Sequence, residues 1–430
     1  MKAAETIRRK LEDVRVVDPH CHVRPDRPSA DNLADIVLYH HVWIELVSSG
    51  MGQYEVTKAG LPHEVADPEM DPAERVRRAI PHLTNIANTT LGTYLRWLMR
   101  DLYGLEGELS EANLEAALSS VAERAGDPEW IDEVLLGHCG IEHSITVAGG
   151  REPALRRIHR GVEAGCVNIV SGKRSARETL ASCERDFGRD IRCAADLREY
   201  ITRYVGQLPE GMRFVGVWAL PSLTAGRAAD DGVDATLRKV RDGESLTGAE
   251  TGGYSYFAIT ALLDALRETP VRTIQLICGA EVLPPHRAIT HWAPSFSGAV
   301  ARMAGDYEDF HFNLSSAADQ YTQDLGILAK HIPNISVAGY WWHTLYPFYI
   351  RKSVETRIDM VPMNKIIAFF SDAYHIEWCY PKLKMIKQIW AEVLTERVAR
   401  GWLTAGAAEE LIERAFHENP MRIYLSRGSA

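Results

Sequence analysis

The chain has 430 residues, of which 46% are hydrophobic and 25% charged, so its composition predicts a large buried core and excludes extensive disorder. Its formal net charge of -10 disfavours a nucleic-acid-binding protein, which usually carries a basic stripe, but is compatible with a local site for a small anion. Seven cysteines occur without any CxxC spacing, which disfavours a zinc ribbon or a thioredoxin-type redox site.

The amino-terminal stretch, MKAAETIRRKLEDVRVVDPH, is charged throughout and lacks the apolar segment of a secretory signal. No part of the chain approaches the run of about 18 apolar residues that crosses a bilayer. We therefore predict a cytoplasmic protein with neither a membrane nor a nucleic acid as partner. A homo-oligomer is left open.

Short apolar runs recur along the chain, and several of them end at polar residues. Their apolar residues are continuous rather than alternating, which is typical of parallel strands buried on both faces. The sequence predicts eight such strands, at residues 14–20, 140–148, 165–172, 213–221, 272–280, 309–317, 335–343 and 365–373.

Helical patterns lie between these runs, for example at residues 175–187, 256–269, 296–309 and 324–332. Strands that alternate with helices at this spacing indicate βα units. Eight units predict an α/β fold of the (β/α)8 TIM barrel class, with residues 1–430 forming one barrel domain.

The gap after the first strand is too long for a single helix. Residues from about 30 to 135 carry several helical patterns, so we predict a large helical insertion there. Insertions after a barrel strand lie at the carboxyl-terminal mouth, where barrel active sites are found. Two further helices are predicted at the carboxyl terminus, within residues 380–402 and 406–420.

Two histidines with one residue between them stand where the first strand ends, in VVDPHCHVRPD. Because side chains alternate along a strand, His20 and His22 point to the same face. Two neutral imidazoles this close suit one divalent metal ion. A pair of core or loop histidines is the alternative, since an isolated HxH often occurs by chance.

A metal ion on two histidines needs an anionic ligand, and Asp372 ends the eighth predicted strand, in FSDA. Closure of a barrel brings its last strand beside its first, so this carboxylate is expected next to the two imidazoles. An aspartate that caps the following helix is the alternative. The combination of HxH on strand 1 with Asp on strand 8 resembles the signature of the amidohydrolase superfamily.

Within that superfamily the chain most resembles the uronate isomerases, which interconvert the aldose and ketose forms of hexuronic acids. Four stretches carry the resemblance: DPHCHVRP, DNLADIVLYHHVWIEL, GYWWH and FSDA. In the second stretch, His40 precedes Trp43 by three residues, as a histidine does in the family. In the third, Trp341 and Trp342 match the family's tryptophan pair. The resemblance spans nearly the whole chain.

The resemblance implies roles for several residues. His20, His22 and Asp372 would hold one divalent ion, with zinc the expected metal. Asp372 could also act on a bound water or hydroxyl. His40 would serve as acid/base or contact a substrate oxygen. His41 stands where the family has a tyrosine and could take a related part, because an imidazole titrates near neutrality and a phenol does not. Trp341 and Trp342 would form an apolar wall for a sugar ring.

The chain also departs from the family. Tyr374 stands where the family has an arginine, and Ile277 stands where it has a histidine. Lys173 and Arg174 follow the third predicted strand and could bind the substrate carboxylate instead. His343 and Tyr374 are further candidates for substrate contact.

We therefore predict a metal-dependent isomerase of a small sugar acid, such as D-glucuronate or D-galacturonate, that acts through a cis-enediol. A mononuclear metal-dependent hydrolase, a lactonase or amidohydrolase, is the alternative, because the same three ligands can activate a water molecule. A binding protein with a decayed site is a further alternative, which metal-free purified protein would favour.

Overall fold

The computed structural model describes residues 2–57, 70–148, 155–165, 175–220, 222–224, 226, 229–283 and 287–426, without the side chains of 282–288. The strands in these residues are β1 (Val16–Cys21), β2 (Ile141–Thr146), β3 (Ile158–Glu163), β4 (Met212–Trp218), β5 (Thr273–Cys278), β6 (Ala280–Leu283), β7 (Arg287–Thr290), β8 (His311–Ser316), β9 (Ile335–Ala338) and β10 (Ile366–Ile367).

Sixteen α-helices occur in the described residues. They are α1 (Lys2–Asp13), α2 (Leu33–Val37), α3 (His40–Ser48), α4 (Pro72–Leu83), α5 (Thr90–Tyr103), α6 (Leu114–Arg124), α7 (Pro128–Asp132), α8 (Ala176–Phe187), α9 (Ala194–Gly206), α10 (Asp230–Asp242), α11 (Gly248–Leu266), α12 (Ser295–Asp306), α13 (Thr322–His331), α14 (Pro347–Met360), α15 (Cys379–Ala399) and α16 (Ala405–Glu413). None of the helices in the described part of the chain is long and apolar enough to cross a membrane.

The chain divides into two compact units. The first unit comprises residues 1–158 and 370–405, and the second comprises residues 159–369 and 406–430. In the first unit β1 and β2 pair in parallel, with Val16 beside Ile141 and Cys21 beside Thr146. Between these two strands, the described residues form six α-helices, α2 to α7.

In the second unit, parallel strands follow one another in the order β3, β4, β5, β8, β9 and β10. The side chains of β5 and β8 are buried along their whole length, as expected for parallel strands covered on both faces. The two strands β6 and β7 form a separate antiparallel hairpin.

Strand β3 was not predicted from the sequence. It spans Ile158–Glu163, whereas the predicted third strand, at residues 165–172, falls almost wholly on residues 166–174, which lie outside the described part of the chain, so that prediction is untested. The β3 segment, IHRGVE, lacks a continuous apolar run because one of its packing positions is a glycine. A Cβ on Gly161 would lie 2.4 Å from the ring of Phe214 on β4, so that ring occupies the place of a side chain.

The chain entering α3 places three aromatic side chains in a row. Helix α2 begins at a capping box, in which Asn32 accepts hydrogen bonds from the backbone of α2 and Asp35 accepts from the backbone of Asn32. Only Leu38 and Tyr39 separate α2 from α3. Tyr39 therefore precedes α3 directly, and His40 and His41 form its first turn, where all three are buried.

Candidate metal centre

The carboxyl end of β1 carries the histidine pair. His20 lies in β1 and is buried, whereas His22 follows the strand with 22% of its side chain exposed. A ring nitrogen of His20 and one of His22 lie within 4.8 Å of each other. The alternation of side chains along a strand correctly predicted that the two imidazoles share a face. The imidazole of His22 remains partly open to solvent.

Asp372 lies beside the end of β1 in the same unit. Its backbone N–H donates to the carbonyl of His20 at 3.0 Å, and the N–H of His22 donates to the carbonyl of Ala373 at 2.8 Å. Asp372 has a left-handed backbone with φ of 50°, a conformation that aspartate tolerates better than most residues. These bonds align the segment of Asp372 with β1.

The three side chains fit one metal ion. Oδ1 of Asp372 lies 3.2 Å from Nε2 of His22 and 3.6 Å from Nε2 of His20. Ligand atoms about 2.0–2.2 Å from a tetrahedral ion lie roughly 3.3 Å from one another, which is close to both distances. Imidazole nitrogen and carboxylate oxygen are also a donor set that zinc and related divalent ions accept.

The charge on Asp372 also favours the binding of one metal ion by these three side chains. Burial alone would raise the pKa of this carboxyl, but His20, His22 and Lys382 hold its pKa well below the usual range. An ionised carboxylate between two imidazoles is the state that a divalent cation requires of its ligands.

Solved structures of other proteins are similar to this chain in fold. The uronate isomerase of Thermotoga maritima superimposes with a TM-score of 0.81 at 16% sequence identity, over 99% of this chain and 97% of that one. The glucuronate isomerase of Caulobacter crescentus gives a TM-score of 0.77 at 15% identity, over 98% of this chain and 94% of that one.

The chain has the uronate isomerase fold. This fold is a (β/α)8 barrel, so the predicted fold class is confirmed. A Lactobacillus casei structure described as that of a metal-dependent hydrolase also matches, with a TM-score of 0.58 at 12% identity over 97% of this chain and 96% of that one. No protein-family model and no curated protein matches the sequence.

Around the candidate metal centre, Tyr374 and the α3 histidines form an aromatic group. The ring of Tyr374 stacks on His22 with centroids 4.7 Å apart and an interplanar angle of 12°. His40 meets Tyr374 edge-on at 4.8 Å and lies 4.0 Å from His41. The structure therefore brings six of the predicted site residues together in the first unit: His20, His22, His40, His41, Asp372 and Tyr374.

The other predicted substrate contacts lie elsewhere in the sequence. In the second unit Trp341 packs edge-on against Trp218 at 5.1 Å, and Trp342 stacks on His343 at 4.9 Å. Burial lowers the pKa of His343. Ile277, at the position of the family's histidine, is buried in β5. Lys173 and Arg174 lie outside the described residues, so their predicted role is untested.

Sequence reasoning missed the residues that hold Asp372 in place. Asp18 accepts hydrogen bonds from the backbone N–H and the hydroxyl of Ser371, at 2.8 and 2.6 Å. Burial raises the pKa of Asp18 to about 6, although the bonds from Ser371 oppose that rise. Tyr39 and Lys382 approach the same segment. A polar residue within a buried strand, as Asp18 is in VVDPH, was the one available signal.

Proposed function

We propose that this chain is a divergent uronate isomerase, a metal-dependent enzyme that interconverts the aldose and ketose forms of a hexuronate such as D-glucuronate or D-galacturonate. The observation that carries the proposal is the cluster of His20, His22 and Asp372, with a geometry suited to one metal ion, in a chain with the uronate isomerase fold over almost its full length. One fold can host many reactions, so the proposal depends on this cluster and not on the fold alone.

In this reaction the proton on C2 moves to C1 and the proton on the C2 hydroxyl moves to the oxygen on C1, through a cis-enediol. His20, His22 and Asp372 would hold the divalent ion, for which zinc fits the donor set. When bound, that ion would supply positive charge to the substrate oxygens while C2 is deprotonated. Asp372 remains ionised and thereby contributes the single negative charge of the ligand set.

The proton transfer is assigned to the α3 histidines. A positioned base must take the C2 proton and return it at C1, and an imidazole nitrogen is suited to both steps. His40 is proposed as this group, with His41 at 4.0 Å as its partner. Both rings are largely buried and lie in the first turn of α3, which limits their motion.

Substrate contacts are proposed for Tyr374, Trp341, Trp342, His343, Lys173 and Arg174. Tyr374 offers a neutral hydroxyl where the family has an arginine, so the carboxylate of the substrate needs its cation from elsewhere. Lys173 and Arg174 are the proposed source. Trp341 and Trp342 supply flat apolar surface of the kind that sugar rings pack against.

Hydrolysis is the second candidate, and two observations favour it. One is the fold likeness to the Lactobacillus casei protein described as a metal-dependent hydrolase. The other is Tyr374, because loss of the arginine changes how a hexuronate would be bound. On this alternative, Asp372 would accept the proton of the attacking water, and a lactone or an amide would be the substrate.

The deciding experiment is an NMR time course in deuterated water with a divalent metal and either D-glucuronate or D-galacturonate. New ketose signals, or deuterium entering at C2, would support the isomerase. The Asp372→Asn variant should abolish both, and Asp306→Asn, an exposed aspartate, should abolish neither. Metal-loaded protein with no turnover and no exchange would reject isomerisation of these acids and favour the hydrolase, to be tested with lactones and amides.

A further inference from the structure

One lysine is fully buried beneath the segment that carries Asp372. Lys382 has no exposed surface, and it lies in the first turn of α15. Both circumstances disfavour a cation. Burial removes the ammonium from water, and the first turn of a helix bears partial positive charge from the helix dipole. The buried ammonium of Lys382 therefore requires strong local interactions.

Those interactions are with the backbone of the metal-binding segment. The ammonium of Lys382 donates to the carbonyl of Ser371 at 2.5 Å and approaches the carbonyl of Asp372 at 3.4 Å. It also donates to the hydroxyl of Tyr39 at 2.9 Å, and that hydroxyl donates to the carbonyl of Asp372 at 3.0 Å. Two side chains thus satisfy the carbonyls of Ser371 and Asp372.

This segment has a conformation that needs support. Asp372 is one of two non-glycine residues with a positive φ in the described residues. Such a backbone persists only where its surroundings hold it. Asp18 binds Ser371 through both carboxylate oxygens, and Lys382 and Tyr39 bind the carbonyls. The left-handed turn at Asp372 is therefore held by buried charges of opposite sign.

We propose that Lys382 is a positioning residue of the metal centre. Its ammonium fixes the carbonyls of Ser371 and Asp372, so that the Asp372 carboxylate stays directed at His20 and His22. The inference rests on the proposed function insofar as that function includes a metal ion at these three side chains. It assigns Lys382 no contact with substrate and no proton transfer.

The test measures metal binding without substrate. Metal-free wild-type and Lys382→Met proteins would be titrated with Zn2+ in competition with a chromophoric chelator, and with Co2+ while its visible absorption is recorded. Loss of an outer partner of a metal ligand typically weakens binding about 10–100-fold, and this is the effect expected of Lys382→Met. The Co2+ spectrum should change as well, because the carboxylate would be less well directed.

Lys365→Met is the matched control. Lys365 also donates to two backbone carbonyls, those of Ala329 and Ile332, but in the second unit. Its loss should lower stability and leave Zn2+ affinity and the Co2+ spectrum unchanged. If Lys382→Met behaves like Lys365→Met, with lower stability but wild-type metal binding, the lysine is structural only and the proposal is wrong.

Two further variants and two results for the wild-type protein complete the test. If Lys382→Met does not fold, Lys382→Gln takes its place, and wild-type affinity in that variant would overturn the proposal. Lys382→Arg retains a cationic donor and should recover part of the affinity. Wild-type protein that binds no divalent ion would overturn the metal centre and this inference together. Metal binding without isomerisation would overturn only the proposed reaction.

Discussion

At the scale of single residues, the candidate metal centre depends on the positions of two pairs of histidine imidazoles. His20 and His22 face Asp372, which suits them as ligands. His40 and His41 contact each other and the rings of Tyr39 and Tyr374. The contact with Asp372 supports the proposed ligation by the first pair, and proton transfer by the second pair stays a prediction.

The role of His41 can be tested separately from metal binding. His41→Phe keeps a flat ring of similar size but removes both nitrogens. If His41 takes part in acid/base chemistry, turnover should fall by about 100-fold or more, the usual contribution of such a group. Zn2+ content, measured by atomic emission on the same samples, should not change. His331→Phe, at an exposed helix end, is the control, and unchanged turnover in His41→Phe would reject the role.

At the scale of elements, Glu377 ties the start of α15 to the helices that follow β1. This fully buried carboxylate accepts hydrogen bonds from Trp130 of α7 at 3.0 Å and from Tyr103 of α5 at 3.2 Å. It also accepts from the backbone N–H of Ala30 at 3.2 Å. The helices between β1 and β2 are thereby joined to the residues that follow Asp372.

This tie predicts a pH dependence of stability. Burial raises the pKa of Glu377, although the charge of His375 and the hydrogen bonds oppose the rise. The folded protein therefore holds this proton more tightly than the unfolded chain, whose glutamates titrate near pH ~4.3. The favourable contribution is complete below that pH and is lost as pH rises through the raised pKa.

Glu377→Gln is neutral at every pH and keeps the size of the side chain. The free energy of unfolding of wild type relative to this variant should therefore fall as the pH rises above about 4 and through the raised pKa. Urea denaturation of chelator-treated protein would measure it. Glu129→Gln, at an exposed position of α7, should show no such trend. A difference between wild type and Glu377→Gln that does not vary with pH would contradict the assignment.

The strands also show how much of the fold and of the candidate site could be predicted from the sequence. Seven of the eight apolar runs overlap strands, because parallel strands buried on both faces are apolar throughout, and the remaining run, at residues 165–172, lies almost wholly outside the described residues. Strand β3 was missed because the ring of Phe214 fills the space beside Gly161. His20, His22 and Asp372 could be found because strand ends converge in a barrel. Lys382 could not, since its role depends on the left-handed turn at Asp372 and no sequence pattern encodes that turn.

The packing at β3 gives its own prediction. Gly161→Ala would bring a Cβ to 2.4 Å from the ring of Phe214, which is buried and packs edge-on against Tyr424. The ring has little room to move, so the free energy of unfolding should fall by about 1–3 kcal/mol, the usual cost of overpacking. Gly165→Ala, where a Cβ would meet nothing within 4 Å, is the control. Equal denaturation midpoints would show that β3 adjusts freely.

At the scale of the whole molecule, the candidate metal centre joins distant parts of the sequence. Asp18 and Ser371, which support the proposed ligands, are 353 positions apart and hydrogen-bonded to each other. An ion bound by His20, His22 and Asp372 would link the same two segments. Because the unfolded chain does not hold these segments together, metal binding should stabilise the folded state specifically.

Metal removal should therefore lower the thermal midpoint of the wild-type protein. At a free Zn2+ concentration 100 times the dissociation constant, a single site adds about 2.7 kcal/mol to the free energy of unfolding. Thermal scans with Zn2+ and with excess chelator would show the difference, and re-addition of Zn2+ should reverse it. Asp372→Asn keeps a residue that tolerates a left-handed backbone but loses the charge, so its midpoint should respond much less to Zn2+. An equal response in both proteins would mean that Zn2+ stabilises the chain at some other position, and Asp372 would lose its assignment as a ligand.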